Sequence, residues 1–485
     1  MRPLFSNNTL RRIEQTHATA HPALMVRAGK GAAAWIAAHF AKQVVTVVAG
    51  PGHNGGDALY CAAELHGLGW PVIVHAIPPR HTKPALAAAL KAWQRIGEVH
   101  TDCPHVTDGL VVDGLLGIGL DSAPDDTLVR WIDAINRHRG PIVALDVPTG
   151  LNADTGEIPG HAVRADHTLT FLADKPGLYT AYGRDHAGEV TCLDLGITVE
   201  ADLAPAAFLV ATQPLALPPR QHASHKGTYG TVAVVGGASG MTGAAMLAGR
   251  AALQCGAGKV IVGLQDHRIH FDPHQPELMI QTVDDALTAP LSALAVGPGL
   301  GTTTQSVDSL ASTLSTAVPV IIDADGLNLL ARHAHLQRSI TQRGAPTILT
   351  PHPAEAARLL GTDTRAVQAD RLYAAQELSS RYQCAILLKG SGSICTAPGH
   401  PPTINGSGNG ALASAGQGDV LSGVILALVA QGLPPLDALR LAAYLHGLAG
   451  DQWRQDHPSG IGLTASDTIA GIRRLLNPLN QEADR

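Results

Sequence analysis

The sequence predicts an α/β protein built as two three-layer domains, and three observations predict it. Short apolar runs rich in β-branched residues alternate with Ala- and Leu-rich segments of helical length, as in a parallel sheet covered by helices on both faces. The alternation stops at LALPPRQHASH (residues 215–225), where Pro218 and Pro219 end any element, and then starts again. The 485 residues hold two or three domains at roughly 100–200 residues each. The expected domains are residues 1–214 and 222–480.

In the first half the predicted strands are QVVTVV (43–48), PVIVHAI (71–77), LVVDGLL (110–116) and PIVALDV (141–147). HTLTFLA (167–173) and EVTCLDLG (189–196) extend the same sheet. In the second half they are TVAVVGG (231–237), KVIVGL (259–264), ALAVGPG (293–299), PVIIDAD (319–325), PTILTPH (346–352) and AILLKG (385–390). No short-period repeat is visible, which excludes a solenoid.

Composition narrows the function. An apolar content of 45% builds two cores and argues against disorder. A net charge of −6 with 4% aromatic residues argues against a nucleic-acid partner. The six cysteines form no CxxC pair, so no zinc or redox motif is expected, and they read as buried thiols. No signal-peptide core and no apolar run of ~20 residues is present, so the expectation is a cytoplasmic protein with no membrane span. The Ala-rich helices suggest a homo-oligomer.

In the first half, GPGHNGGDA (50–58) joins a strand to a helix. It is neither a GxxxxGK[ST] loop nor a GxGxxG fingerprint. Two readings stand: a tight turn with Asp57 capping the next helix, or a turn whose backbone N–H groups meet phosphate. VVDGLLGIGL (111–120) and ALDVPTG (144–150) place Asp113, Asp146 and Thr149 at further strand ends. Ligands of open α/β sheets bind beyond the carboxyl ends of strands. Asn54, Asp113 and Thr149 offer hard oxygen donors for a simple cation, which leaves Asp146 free to move a proton.

Together with LMVRAG (24–29), these strings resemble the NAD(P)H-hydrate epimerase domain, over most of residues 1–212. The resemblance implies a Rossmann-like fold that binds hydrated NADH or NADPH with potassium and interconverts the R and S epimers. It places substrate on His53, Asn54, Gly55, Gly56 and Asp57, and on Gly117, Ile118, Gly119, Leu120, Asp121, Ser122 and Ala123. It puts Asp146 at the nicotinamide end and potassium on Asn54, Asp113 and Thr149. His53 and Ala58 depart from the family's Asn-Asn-Gly-Gly-Asp-Gly, and Val26 stands where Glu is frequent.

The second half carries HKGTYG (225–230), GGASGMTGAA (236–245), GPGLG (297–301), DADGLN (323–328) and TPHPAE (350–355). His352 and Glu355 lack the companions of a metal site, and Pro351 and Pro353 suggest an extended turn. His17 and His21 are spaced to share a helix face, without further ligands. The most specific string is NGSGNGALASAGQGDVLSGVILALV (405–429). Its Gly416–Gly418 turn aims backbone donors at one point, where they can stabilise a transferring phosphoryl group. Asp419 beside them can accept the proton of the attacking hydroxyl. Lys389 in KGSGS can meet a nucleotide phosphate.

With YLHGLAGD (444–451) and GLTASD (462–467), this half resembles the ribokinase-like ADP- or ATP-dependent NAD(P)H-hydrate dehydratase, over about residues 222–475. The resemblance implies nucleotide binding by Lys389, Gly390, Ser391, Gly392, Ser393 and Gly418, and hydrate binding by Ala244, Gly299, His352 and Asp419. Gln417 stands in the Thr place of the family's Gly-Thr-Gly-Asp. The joint expectation is a bifunctional isomerase and lyase using ADP or ATP, with Mg2+ at the phosphates and K+ in the first domain. A ribokinase-type kinase of a small alcohol is the alternative enzyme, and a nucleotide-sensing protein the alternative class.

Overall fold

The computed structural model describes residues 1–79, 81, 83–105, 108–120, 122–200, 203–215 and 217–477. The chain forms two compact units: Pro3–Ala207, and Phe208–Arg485 together with Met1–Arg2.

The Pro3–Ala207 unit holds a seven-stranded sheet. Its order is Val99–His100, Val72–Ala76, Val45–Ala49, Leu110–Gly114, Ile142–Leu145, His167–Phe171 and Glu189–Leu193. All six pairings are parallel. Period-two alternation decides which face each residue covers. Val45, Val47, Val112 and Val143 join a core with helices Leu24–His39, His53–Gly67 and Pro84–Gln94. Val48, Val111, Ile142 and Ala144 face helix Asp126–Asn136 through Trp131, Ile132 and Ile135. Strand order reverses between Val45–Ala49 and Leu110–Gly114, whose following connections leave in opposite directions, and a crevice opens at such a switch point.

The other unit holds an eleven-stranded sheet. Its order is Arg2–Leu4, Ala207–Val210, His400–Asn405, Ile394–Ala397, Ala385–Leu388, Thr347–Leu349, Val320–Ile322, Ala293–Val296, Thr231–Gly236, Lys259–Leu264 and Met279–Thr282. Ile394–Ala397 is antiparallel to both neighbours. Helix Gln417–Ala430 is apolar all round and buried along nearly its whole length, as such a helix must be. It packs with helix Thr242–Gln254 in the main core of this unit.

Several sequence expectations shift. Ile394–Ala397 and His400–Asn405 pair as a hairpin that the sequence disguised, because Pro401 and Pro402 demote that run as a strand. Pro353 opens helix Pro353–Leu360 instead of continuing an extended turn, since proline suits the first helical position. Helix Asn7–Thr16 ends at His17, so His17 and His21 share no helix face. Four cysteines are buried, but Cys192 is half-buried and Cys103 is exposed. No helix among the described residues is long and apolar enough to cross a membrane.

Candidate active sites

In the Pro3–Ala207 unit the switch point is built by glycine. A Cβ on Gly50 would lie 1.7 Å from the Leu115 carbonyl oxygen, and one on Gly55 would lie 1.9 Å from that of Gly50. The helix therefore starts at His53, with Gly52 as its N-cap, directly against the neighbouring strand end. Asp57 is the fifth helical residue and caps nothing, which corrects the capping reading.

Asn54 is buried, and its Nδ2 donates to the Leu116 carbonyl at 2.9 Å and the Leu145 carbonyl at 3.1 Å. Its Oδ1 is buried without a hydrogen-bond partner. Asp113 is fully buried. Its Oδ1 accepts from Thr149 Oγ1 at 2.7 Å and Leu115 N at 3.1 Å, and its Oδ2 accepts from Thr149 N at 2.9 Å. Burial pushes the Asp113 carboxyl up to about 6, against the pull of the Thr149 and Leu115 hydrogen bonds. Leu116 N donates to Thr149 Oγ1 at 2.9 Å. Three strand ends thus bring Asn54, Asp113 and Thr149 to the Leu116 peptide. Amide, carboxylate, hydroxyl and carbonyl oxygens with one formal charge suit a hard monovalent cation, and the orphaned Asn54 Oδ1 lacks the partner such an ion supplies.

Asp146 follows strand Ile142–Leu145 with φ +65°, an uncommon conformation for a residue with a side chain. Its Oδ2 accepts from Ile118 N at 3.3 Å, and a Cβ on Gly117 would lie 2.7 Å from that oxygen. Gly117 and Ile118 thus meet Asp146, while Gly119 lies open and Ser122 and Ala123 are exposed. Asp121 lies outside the described residues. Burial, then the charges of Asp146 and Glu14, hold the Asp57 carboxyl well above the usual range. Glu14, on helix Asn7–Thr16, is raised by burial and by Asp146.

Sequence reasoning missed Glu14 and Lys175. Lys175 is 1% exposed, and its Nζ lies 2.8 Å from Asp146 Oδ1. Its signal was one lysine beside Asp174 in the mostly apolar run FLADKPGL.

In the other unit Gly299, with φ +58°, abuts Ala244. A Cβ on Gly299 would lie 3.3 Å from the Ala244 Cβ and 2.4 Å from the Met241 carbonyl oxygen. His352 caps helix Pro353–Leu360, its Nδ1 accepting from Ala354 N at 3.1 Å, while Glu355 Oε2 accepts from His352 N at 2.8 Å. Burial lowers the His352 imidazole, and the Lys389 charge adds to this. Burial also pushes Glu355 up to about 7, against the pull of Lys389.

Lys389 Nζ lies 2.6 Å from Asp323 Oδ1, and Ser422 Oγ donates to Asp323 Oδ2 at 2.7 Å. Burial works against the Lys389 ammonium, but Asp323, Glu355 and Asp419 outweigh it and raise the group. Gly390 adopts φ +137° over the buried Arg371 guanidinium, and a Cβ there would lie 2.8 Å from it. Ser393 Oγ donates to the Gly390 carbonyl at 3.1 Å, closing the 389–393 turn. Gly416 caps helix Gln417–Ala430 at φ +84°. Gln417 is buried and donates from Nε2 to Ser414 Oγ at 3.0 Å. A Cβ on Gly418 would lie 3.3 Å from Lys389 Nζ. Asp419, in the first turn, is pushed up to about 6 by burial and by Asp323. Sequence reasoning identified Lys389, Gly418 and Asp419 but missed Asp323, Ser422 and Arg371.

These geometries define a class of protein: an α/β protein with polar residues gathered at a sheet switch point in one unit and a lysine and carboxylates gathered at a glycine turn in the other. Residues 21–177 match the family described as YjeF-related protein N-terminus, and residues 232–473 match NAD(P)H-hydrate dehydratase. The bifunctional NAD(P)H-hydrate repair enzyme of Escherichia coli is 37% identical over 447 residues, covering 89% of this chain and 85% of that protein. The enzyme of the same description from Coxiella burnetii is 36% identical over 500 residues, covering 99% and 100%. The chain belongs to the family of bifunctional NAD(P)H-hydrate repair enzymes. Among solved structures, the ADP/ATP-dependent NAD(P)H-hydrate dehydratase of Bacillus subtilis, co-crystallised with ATP and Mg2+, is 34% identical, covers 54% of this chain and 93% of its own, and has a TM-score of 0.48.

Proposed function

We propose that the two sites act in succession on hydrated NADH and NADPH, which carry a ring hydroxyl and are inactive in hydride transfer. The functional domains are residues 1–214 and 222–480. Asp419 accepts the proton of the S-hydrate hydroxyl as its oxygen attacks the terminal phosphorus of ADP or ATP. The new O–P bond forms as the bridging P–O bond breaks, releasing AMP or ADP. The C–O bond then breaks with its electron pair leaving on the phosphate, the adjacent carbon gives up a proton to that departing phosphate, and the ring double bond returns. Lys389 and the 390–393 turn hold the nucleotide with Gly418, while Ala244, Gly299 and His352 seat the hydrate. The observation that carries this reading is Asp419 beside Lys389 and Gly418 in a glycine turn at a helix start. Asp323, Asp325 and Glu355 surround them with negative field. A polyphosphate entering such a field calls for a divalent cation, and Mg2+ carried on the phosphate oxygens fits.

In the 1–214 domain, R-hydrate is recycled to S. The ring C–O bond breaks as the hydroxyl takes a proton and leaves as water. Water then adds to the opposite face and gives a proton back. Asp146 is the group that moves these protons, beside His53–Asp57 and Gly117–Ala123 as the substrate loops. Asn54, Asp113 and Thr149 would hold K+, which supplies positive charge beside a polyanionic substrate. A cytoplasmic setting and self-association complete the proposal.

The test supplies S-hydrate with ADP or ATP in turn, then R-hydrate. Restored dihydronicotinamide absorbance with release of free phosphate is expected from both epimers. A stable phosphorylated product would instead mean a kinase, and no turnover with either nucleotide would overturn the reading.

A further inference from the structure

Lys175 makes four contacts in a buried pocket. Besides Asp146 Oδ1, its Nζ meets Thr170 Oγ1 at 2.7 Å, the Phe171 carbonyl at 3.0 Å and the Ala173 carbonyl at 3.2 Å. All three neutral acceptors belong to strand His167–Phe171 or the turn after it. That strand is registered directly beside strand Ile142–Leu145, which Asp146 follows. Asp146 is pinned as well, its N donating to the Leu169 carbonyl at 2.7 Å. The ion pair therefore has little freedom at either end.

The two carboxylate oxygens of Asp146 are not equivalent. Oδ1 belongs to the lysine, while Oδ2 faces Gly117 and Ile118 N, where a Cβ on Gly117 would intrude. Burying an ammonium is costly unless it is paired, and a pair retained beside a proton-moving group orients that group. Glu14 from helix Asn7–Thr16 and Asp57 from helix His53–Gly67 lie near enough for the Asp146 charge to help raise both carboxyls, and Lys175 is the cation in contact with Asp146.

We propose that Lys175 is a positioning residue for epimerisation: it holds Oδ1 of Asp146 so that Oδ2 is the oxygen that exchanges protons with the hydrate. This rests on the reading of Asp146 as the proton carrier.

The experiment uses the full chain, with dehydration of S-hydrate as the internal control and a thermal melt as the folding control. Lys175→Met is expected to slow R-to-S exchange roughly 100-fold, mainly in kcat, as expected of a mispositioned group. Lys175→Arg should restore part of the rate. On an Asp146→Asn background, Lys175→Met should add no further loss. A loss confined to KM in Lys175→Met, no recovery in Lys175→Arg, or the same fold-loss in both backgrounds, would overturn the positioning role alone. Full exchange by Asp146→Asn would overturn both it and the reading beneath it.

Discussion

Asp323 binds Lys389 through one carboxylate oxygen, at 2.6 Å, and Ser422 through the other, at 2.7 Å. The lysine belongs to the 389–393 turn and the serine to helix Gln417–Ala430, so one buried carboxylate ties together the two segments proposed to hold the nucleotide. Asp323→Asn keeps the shape and removes the charge. Truncating one partner of a buried charged pair costs roughly 2–5 kcal/mol. Dehydration should fall by about two orders of magnitude with a higher KM for nucleotide, while R-to-S exchange is unchanged. Steady-state kinetics on both reactions measures this.

Asp419 must be ionised to act as a base, and its carboxyl is raised to about 6. Dehydration kcat/KM should therefore climb through pH 6 and level off above it, losing about tenfold per unit below. Asp419→Asn should lower the rate by roughly 10²–10⁴-fold and abolish that limb. A profile that keeps its limb near pH 6 in Asp419→Asn would assign the titration elsewhere.

The unpartnered Oδ1 of Asn54 predicts a response to cations. With potassium in place of tetramethylammonium, the unfolding transition of the 1–214 domain should move up, because a ligand that binds only the folded state stabilises it. Asn54→Leu should remove this shift and the potassium dependence of exchange. Calorimetry in the two salts reads the first, and exchange kinetics the second.

Gly418→Ala separates stability from function. Alanine inside a helix gains up to ~1 kcal/mol over glycine, so the melting temperature should hold or rise. The added Cβ would sit 3.3 Å from Lys389 Nζ, and the lysine must give way. The KM for nucleotide should rise about tenfold, a loss of about 1.4 kcal/mol of binding. Melting and nucleotide titration on one sample decide it.

Most of the strands were legible, because buried parallel strands read as short apolar runs between glycines and prolines. The hairpin around Pro398 and Gly399 was not, since its second strand carries Pro401 and Pro402. Candidate site residues that lie in local strings, Asn54, Asp113, Thr149, Gly418 and Asp419 among them, could be picked out equally well from sequence. Lys175, Glu14, Asp323, Ser422 and Arg371 were not. None has a local spacing that names its role, and each meets a partner from a distant element, as Asp323 meets Ser422 across 99 residues.

The sequence by itself determined the α/β class, the family, the glycine turns and the residues expected to carry charge or protons. These depend on local propensity and short spacing, which a linear string retains. Tertiary structure alone decided which charges pair: Lys175 with Asp146, Lys389 with Asp323, Asn54 left with an unmet oxygen. Pairing depends on which strand ends the sheet brings side by side, and on burial that turns an ordinary carboxylate into one raised toward neutrality. Both follow from strand order and helix packing, which no short stretch of sequence contains.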